Sequence, residues 1–115
     1  MLTLPTSLRV FAKTSPTDMR RSFEGLVGLV EHELHRQVES GDLFLFFNRR
    51  SDRVKALWFA GDGLVIWYKR LEGARFAHPG EIAKAGLNMA QLSAWLEGMP
   101  IAQSSFKTVN ATRVS

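Results

Sequence analysis

A stretch rich in aromatic and basic residues, from position 42 to position 76, constrains the fold of this chain most. It holds two of the three Trp, five of the eight Phe, the only Tyr and seven of the fifteen basic residues. Within it, the segments 43–48, 53–60 and 64–71 are rich in β-branched and aromatic residues and are separated by turn-forming residues. This pattern predicts the three strands of an antiparallel meander.

The turn between the second and third strands is predicted at Asp62-Gly63, because a type I′ turn requires positive φ angles that Gly adopts freely. With these two residues as the loop, Arg70 faces Lys55 and Glu72 faces Arg53 on the neighbouring strand. Like charges directly opposite each other destabilise a sheet by about 0.2–1 kcal/mol. Two interpretations of the opposed cations stay open: their stems splay apart into solvent, or an anion lies between them.

Alternation of side chains along the strands defines two faces of the sheet. The loop 49–52 is expected to place Phe46 beside Lys55 and Phe44 beside Leu57. One face, here called the apolar face, has a single charge and is expected to form the core; it carries Leu43, Leu45, Phe47, Val54, Ala56, Trp58, Val65, Trp67, Lys69 and Leu71. The other, here called the aromatic-cationic face, carries Phe44, Phe46, Asn48, Arg53, Lys55, Leu57, Phe59, Ile66, Tyr68, Arg70 and Glu72.

The segment before the meander predicts a strand at 8–13, which joins the sheet as a fourth strand, and then a long helix. Ser15 can cap this helix, Pro16 suits its first position and Asp18 completes a variant of the capping box. We expect the helix to run to about Gln37 and to lie on the apolar face through a stripe of apolar residues at helical spacing. The stripe consists of Met19, Phe23, Leu26, Val27, Val30 and Leu34.

The segment after the meander predicts a short amphipathic helix at 89–98, which packs at the sheet edge or covers part of the aromatic-cationic face. Residues 103–115 are polar and patternless, and are expected to form a flexible tail. The predicted fold is a single α+β domain over residues 1–102. It consists of an antiparallel meander of about four strands, a long amphipathic helix on one face and a short C-terminal helix.

The composition narrows the classes of function. The chain has 115 residues, of which 45% are hydrophobic, as is typical of one folded domain. It has no Cys, which excludes disulfides and Cys-ligated metal sites and fits a cytoplasmic location. The N-terminus has no long apolar run, so neither a signal peptide nor a membrane span is expected. The net charge of +4 and the pI near 10 favour an acidic partner such as nucleic acid.

Residue patterns that would support catalysis are weak. His32-Glu33-Leu34-His35 is one residue short of the zinc motif H-E-x-x-H, and no third ligand is evident, so an ordinary pair on a helix surface is the simpler interpretation. The carboxylates are scattered, and Asp52 and Asp62 suit turns. The sequence therefore predicts neither an enzyme nor a cofactor or metal site.

The chemistry that remains is that of nucleic-acid binding, in which cations contact phosphates and exposed aromatic rings stack on bases. Arg20 and Arg21 either help a helix N-terminus to hold a phosphate or form a solvated pair. Phe44, Phe46 and Tyr68 are the candidates for stacking. The other candidates for phosphate contact are Arg49, Arg50, Arg53, Lys55, Lys69, Arg70 and Arg75.

A series of short motifs runs through residues 8–99. These are T-D-M-R at 17–20, G-L at 25–26, G-D-L-F-L-F at 41–46, N-R-R-S-D-R-V-K at 48–55, G-D-G-L at 61–64, Y-K-R-L-E at 68–72, Phe76, Q-L at 91–92 and L-E-G at 96–98. In this order they resemble the accessory proteins of insertion sequence sixty-six called TnpB, or second-reading-frame proteins, which are unrelated to the RNA-guided nucleases of the same name.

The resemblance implies a role in transposition beside a separate transposase, and it assigns no catalytic residue. One hypothesis is a non-catalytic accessory protein that binds DNA through the aromatic-cationic face, with Glu72 orienting Arg53. The alternative is an adaptor that docks the transposase or a sister accessory protein without touching DNA, using the same Arg, Trp and Tyr side chains as anchors. A second copy of the chain is a further candidate partner, and no membrane is expected.

Overall fold

The fold is a five-stranded mixed sheet with one helix between its first two strands, as seen in a computed structural model that describes residues 9–76 and 107–108. The strands are β1 (Arg9–Ala12), β2 (Leu43–Phe47), β3 (Arg53–Phe59), β4 (Leu64–Arg70) and β5 (Lys107–Thr108). The helix is α1 (Phe23–His32), and a 3₁₀ turn (Val38–Ser40) precedes β2. The order of strands across the sheet is β4-β3-β2-β1-β5.

The three-stranded meander is confirmed, because β2 pairs with β3 and β3 with β4 in antiparallel fashion. The register between β2 and β3 is also as predicted. Phe46 lies opposite Lys55, and Phe44 lies opposite Leu57.

The predicted purely antiparallel sheet is wrong, because β1 pairs in parallel with β2, with Val10 opposite Leu43. The physical reason lies in the connection between the two strands. Parallel neighbours require a crossover of a dozen or more residues, which is usually a helix, and the segment from β1 to β2 contains α1. A strand–helix–strand order therefore favours a parallel pair, and the β1–α1–β2 unit makes the sheet mixed.

The predicted long helix over 15–37 is also wrong, because α1 has ten residues and Ser22 as its N-cap. The groups expected to start the helix earlier are engaged elsewhere. The Ser15 hydroxyl accepts a hydrogen bond of 2.6 Å from the Lys13 ammonium. The backbone N–H of Thr17 donates to the Phe47 carbonyl at 2.7 Å, which holds this segment along the edge of β2.

The other end of α1 is set by His35, which adopts a left-handed conformation with a φ of 55°. Here the chain turns back on the helix, and the Leu34 N–H donates to the Leu29 carbonyl at 3.1 Å. Leu34 is thereby fully buried. Its apolar side chain belongs to the predicted stripe, although it lies beyond the end of the helix.

The helix packs on the aromatic-cationic face of the sheet, and not on the apolar face as predicted. One buried cluster joins the two elements; it contains Phe11, Leu26, Leu29, Val30, Leu34, Val38, Phe44, Phe46 and Leu57. The rings of Phe11 and Phe44 stack there with their centroids 5.8 Å apart. The aromatic part of this face is therefore protein core.

The reason for this packing is visible in β2, whose five side chains are all apolar and all buried. A strand without alternation is typical of a sheet covered on both sides. The apolar face is buried as well, and Phe76 packs against Phe47 there with ring centroids 5.7 Å apart. The helix covers the aromatic part of its face and leaves the cations at one end of β3 and β4.

The turn between β3 and β4 has four residues and not two, because Phe59 pairs with Leu64. Gly61 supplies the positive φ, at 97°, and the Ala60 N–H donates to the Gly63 carbonyl at 2.8 Å. This shifts the register by two residues and leaves each side chain on its predicted face, since two is the period of a strand.

Two predictions concern the C-terminal region. The short helix at 89–98 lies outside the described residues. β5 pairs in parallel with β1 and falls within the segment 103–115 that was predicted to be a tail. Within the described residues, no helix is long and apolar enough to cross a membrane.

The burial of the aromatic rings predicts the response to truncation. Phe44→Ala should lower the free energy of unfolding by about 3–5 kcal/mol, because it opens a cavity in the core under α1. Phe23→Ala is the matched control, since this ring lies on the same helix-bearing side but is 43% exposed. Its effect should stay within about 0.5 kcal/mol in urea unfolding. Equal effects of the two substitutions would contradict the placement of α1.

Candidate nucleic-acid interface

The exposed cations gather at the end of the sheet where β2 turns into β3 and where β4 ends. Arg49 and Arg50 lie in the loop after β2, Arg53 begins β3 and Arg70 ends β4. Arg75 follows shortly after β4. Four of these residues are exposed and Arg53 is half-buried. We call this group the arginine end of the sheet.

Asn48 holds the loop at the arginine end in one shape. Its side-chain amide donates to Asp52 Oδ1 at 2.5 Å, and its Oδ1 accepts the backbone N–H groups of Asp52 and Arg53 at 3.1 and 2.9 Å. Asn and Asp favour turns because their short side chains form such local bonds. The motif N-R-R-S-D-R therefore forms a loop whose two ends are joined by hydrogen bonds, and Arg49 and Arg50 lie between these ends.

A second set of bonds fixes this loop to the segment after β4. The Leu71 N–H donates to the Asp52 carbonyl at 2.7 Å, and the Phe76 N–H donates to the Ser51 carbonyl at 2.6 Å. Ser51 itself adopts a left-handed φ of 57°. The loop therefore presents its two arginines from a fixed backbone.

Asp52 is the acidic member of the loop, and its charge is favoured there. The hydrogen bond from Asn48 lowers the pKa of this carboxyl, and the positive charges of Arg50 and Arg53 lower it further. The carboxylate thus stays ionised while it accepts the amide of Asn48. Its charge offsets only part of the positive charge around it.

Two adjoining grooves open at the arginine end, and Arg53 lines both of them. The first has a volume of about 450 Å³ and is lined by Pro16, Thr17, Asp18, Met19, Asn48, Arg49, Arg50 and Arg53. The second has a volume of about 460 Å³ and is lined by Arg53, Tyr68, Arg70 and Glu72. A smaller groove of about 240 Å³ is lined by Arg50, Asp52, Leu71, Gly73, Ala74 and Arg75.

Lys55 has a different position from the one predicted for a phosphate contact. Its side chain is buried, and its ammonium donates to the Arg21 carbonyl at 2.7 Å, just before the start of α1. The ammonium also lies 4.9 Å from the centre of the Tyr68 ring. Lys55 therefore holds the residues just before α1 against the sheet.

Sequence analysis predicted a like-charge pair of Lys55 and Arg70. The register differs by two residues, so Arg53 lies opposite Arg70 instead. Arg53 Nη1 donates to the Tyr68 hydroxyl at 3.3 Å. Glu72 accepts a bond of 2.6 Å from Arg70 Nε, and so it does not orient Arg53 as predicted. This contact raises the pKa of Arg70.

Arg20 and Arg21 precede α1 and do not lie in its first turn. The guanidinium of Arg20 binds the Asp18 carboxylate, with Nη2 and Oδ2 2.6 Å apart, and its side chain is 91% exposed. This hydrogen bond is the main reason why the pKa of Asp18 falls to about 2. Arg21 is exposed, and its carbonyl accepts the bond from Lys55.

Two of the three aromatic candidates are not available for stacking on bases. Phe44 and Phe46 are fully buried beneath α1. Tyr68 is 47% exposed, but its ring faces Lys55 and its hydroxyl faces Arg53. Lys69 lies on the apolar face, opposite Val54, and so it is separated from the grooves that Arg53 lines.

Sequence reasoning missed Asn48, which shapes the arginine end, and it assigned Glu72 to the wrong arginine. Asn48 locks the loop, and Glu72 binds Arg70. The signal for Asn48 was present, because an Asn at the first position of a short loop with Asp four residues later is typical turn chemistry. Glu72 carried no such signal, since its partner depends on the strand register.

A metal site is not found in the described residues, where no three or more His, Asp or Glu side chains come together in a way that could hold a metal ion. His32 is the last residue of α1 and His35 lies beyond its end. His78 lies outside the described ranges.

Comparison with known proteins shows that the chain is similar to a family of insertion-sequence proteins. The family model described as IS66 Orf2 like protein matches residues 8–106. Two uncharacterized proteins of Sinorhizobium fredii (strain NBRC 101917 / NGR234) are similar. One, y4jC, is 38% identical over 72 residues, which cover 63% of this chain and 62% of y4jC. The other, y4hO, is 35% identical over 100 residues, which cover 86% of this chain and 87% of y4hO. No solved structure matches.

The contact between Lys55 and the Arg21 carbonyl predicts a structural effect. Lys55→Met keeps the apolar stem but leaves a carbonyl without its charged donor, which should lower the free energy of unfolding by roughly 1–3 kcal/mol. Arg70→Met is the control, because Arg70 is exposed, and its effect should stay within about 0.5 kcal/mol. Chemical denaturation of both variants checks this, and an unchanged Lys55→Met protein would contradict it.

The bond from Asn48 to Asp52 predicts a pH dependence. A carboxyl whose pKa is lowered by folding stabilises the folded state above its ordinary pKa, 3.8 here, and loses this contribution as the pH falls through its lowered pKa. Asn48→Ala removes the main cause of the shift. Its melting temperature should lie a few degrees below that of the wild type at pH 7.

The difference between the two melting temperatures should narrow as the pH falls below about 4, because the pKa of the Asp52 carboxyl is lowered from 3.8 in the folded wild type. Thermal unfolding followed by circular dichroism over this range measures it. A difference that stays constant with pH would show that Asn48 does not act through the charge of Asp52.

Proposed function

The chain belongs to the IS66 Orf2-like family of insertion-sequence accessory proteins, and we propose that its task within transposition is to bind DNA through the arginine end of the sheet. The proposed role is non-catalytic and lies beside a separate transposase. The proposed ligand is the phosphate backbone, without stacking on bases.

One observation carries this proposal. Arginines from different elements meet around two grooves that share Arg53, with Arg49 and Arg50 from the loop and Arg70 from β4. Arginine suits phosphate because its planar guanidinium donates two parallel hydrogen bonds to an oxyanion. Within the described residues, Arg49 and Arg75 form no hydrogen bond or ion pair, which leaves their donors free for a ligand.

The burial of the aromatic rings determines which kind of DNA fits. Proteins that bind single strands without sequence preference stack successive bases on exposed aromatic rings. Phe44 and Phe46 are under α1, and Phe23 and Tyr68 are the exposed large hydrophobic residues in the part of the chain that the structure describes. A surface of arginines without a stacking platform favours the backbone of a duplex, in which phosphates position a protein and bases specify it.

The fixed loop favours this proposal over a general attraction by net charge. Arg49 and Arg50 lie on a backbone that hydrogen bonds hold at both ends, so that the loop loses little conformational freedom on binding. Pre-organised cations are expected to contact particular phosphates. The number of contacts can be counted, because each neutralised phosphate releases condensed counterions.

The test is fluorescence anisotropy of labelled DNA over a series of salt concentrations. The probes are a duplex with the sequence of an end of the insertion sequence, a duplex of random sequence and a single strand. Wild-type affinity for both duplexes should fall steeply with salt. Arg49→Gln combined with Arg50→Gln should weaken duplex binding and reduce the slope of log affinity against log salt by about 1.8, at about 0.9 for each lost contact.

The matched control is Arg36→Gln, which removes one positive charge beyond the far end of α1, where this guanidinium lies 4.2 Å from the centre of the Phe11 ring. Its slope should equal that of the wild type. Equal effects for each charge removed, in Arg36→Gln and in the double variant of Arg49 and Arg50, would contradict a defined surface. No binding of any probe at low salt would overturn DNA binding. Capture of the transposase by the isolated wild-type chain without DNA would then support the adaptor.

A further inference from the structure

The second groove contains more positive charge than its own residues neutralise. Arg53 and Arg70 lie at directly paired positions of β3 and β4, on the same face, where opposed side chains start about 5 Å apart. Like charges at such positions destabilise a sheet. The lining of this groove contains two guanidinium groups and one carboxylate, that of Glu72. The Asp52 carboxylate is not part of the lining, although its charge interacts with both arginines.

The hydrogen bonds in the groove leave donors unused. Arg53 donates to the neutral Tyr68 hydroxyl at 3.3 Å, which is a long bond. Arg70 donates through Nε to Glu72 at 2.6 Å. A guanidinium carries five N–H donors, and each of these two bonds uses one of them. Most of the N–H donors of Arg53 and Arg70 therefore take no part in these two bonds.

The contact of Glu72 with Arg70 shows that the Arg70 side of this groove accepts an oxyanion. The Glu72 carboxylate accepts from Arg70, yet the side chains of both partners are largely exposed, at 57% for Arg70 and 76% for Glu72. An exposed pair of this kind is weak, because water screens it and both long side chains lose freedom. A phosphate carries an oxyanion of the same hydrogen-bonding kind and can accept from Arg53 and Arg70 together.

We propose that the groove between Arg53 and Arg70 binds one phosphate of the DNA backbone, and that Glu72 occupies the Arg70 side of this site in the free chain and is displaced by DNA. This inference rests on the proposed function and names one contact within it. Glu72 then acts as an internal competitor, which weakens binding to every DNA sequence alike.

The first test compares two variants that each remove one negative charge from the same hairpin. Glu72→Gln frees Arg70, and duplex affinity should increase several-fold at low salt. The slope of log affinity against log salt should become steeper by about 0.9. In this variant Arg70 gains a phosphate without giving up the Glu72 carboxylate. Asp62→Asn is the control, since Asp62 lies in the turn 60–63, at the far end of strands β3 and β4. Its affinity and slope should stay close to those of the wild type.

A second test asks whether both arginines hold the same phosphate. In the Arg53→Gln background, the gain in affinity from Glu72→Gln should shrink, since residues that contact one ligand group are energetically coupled. In the wild type, the Nε–Hε signals of Arg53 and Arg70 in ¹⁵N-correlated spectra should both shift when a short duplex is added. Glu72 and Asp62 are exposed and Arg53 is half-buried, and circular dichroism should show that each variant is folded.

The outcomes separate this inference from the proposed function. If the wild type binds duplex DNA with a steep salt slope but Glu72→Gln behaves like Asp62→Asn, DNA binding stands and the phosphate site between Arg53 and Arg70 is overturned. Full additivity of Arg53→Gln and Glu72→Gln would also overturn it. If no variant binds DNA at any salt concentration, both the proposed function and this site are overturned.

Discussion

The burial of β2 on both faces is the constraint on which the rest of the structure depends. Its five consecutive apolar side chains require cover above and below the sheet, and α1 supplies it on one side by packing over Phe44 and Phe46. Because the crossover from β1 to β2 contains this helix, the two strands run parallel. The mixed sheet follows from the need to cover a central strand that has no polar face.

The same packing confines the charge. The helix covers the aromatic part of its face and begins where Lys55 reaches the Arg21 carbonyl. Beyond that point the sheet continues without a helix, and its positions there are occupied by Arg53 and Arg70. One cation, Lys55, is thus part of the packing, while its neighbours at the end of the sheet stay accessible. Arg53 and Arg70 are therefore the part of the arginine end that comes from the aromatic-cationic face.

The loop after β2 adds the other half of this surface, and its rigidity links stability to the proposed function. Asn48 and Asp52 close the loop, and backbone bonds from Leu71 and Phe76 tie it to the chain after β4. These contacts hold the backbone while leaving Arg49 and Arg50 exposed. The proposed phosphate contacts therefore depend on residues that carry no positive charge themselves, and a change at Asn48 would alter the surface without altering its net charge.

The sequence by itself determined the three strands of the meander, the register of β2 on β3 and the family, because strand period, turn residues and motif order are local properties of the chain. It also concentrated the arginines in one stretch. Tertiary structure decided which face the helix covers, how far the helix extends and which partners Arg70 and Lys55 have. These depend on competition between distant groups, such as Ser15 binding Lys13 instead of capping a helix, and on a register shift set by Gly61. Local sequence patterns do not report such competition, and so they did not reveal that Phe44 and Phe46 are buried under α1.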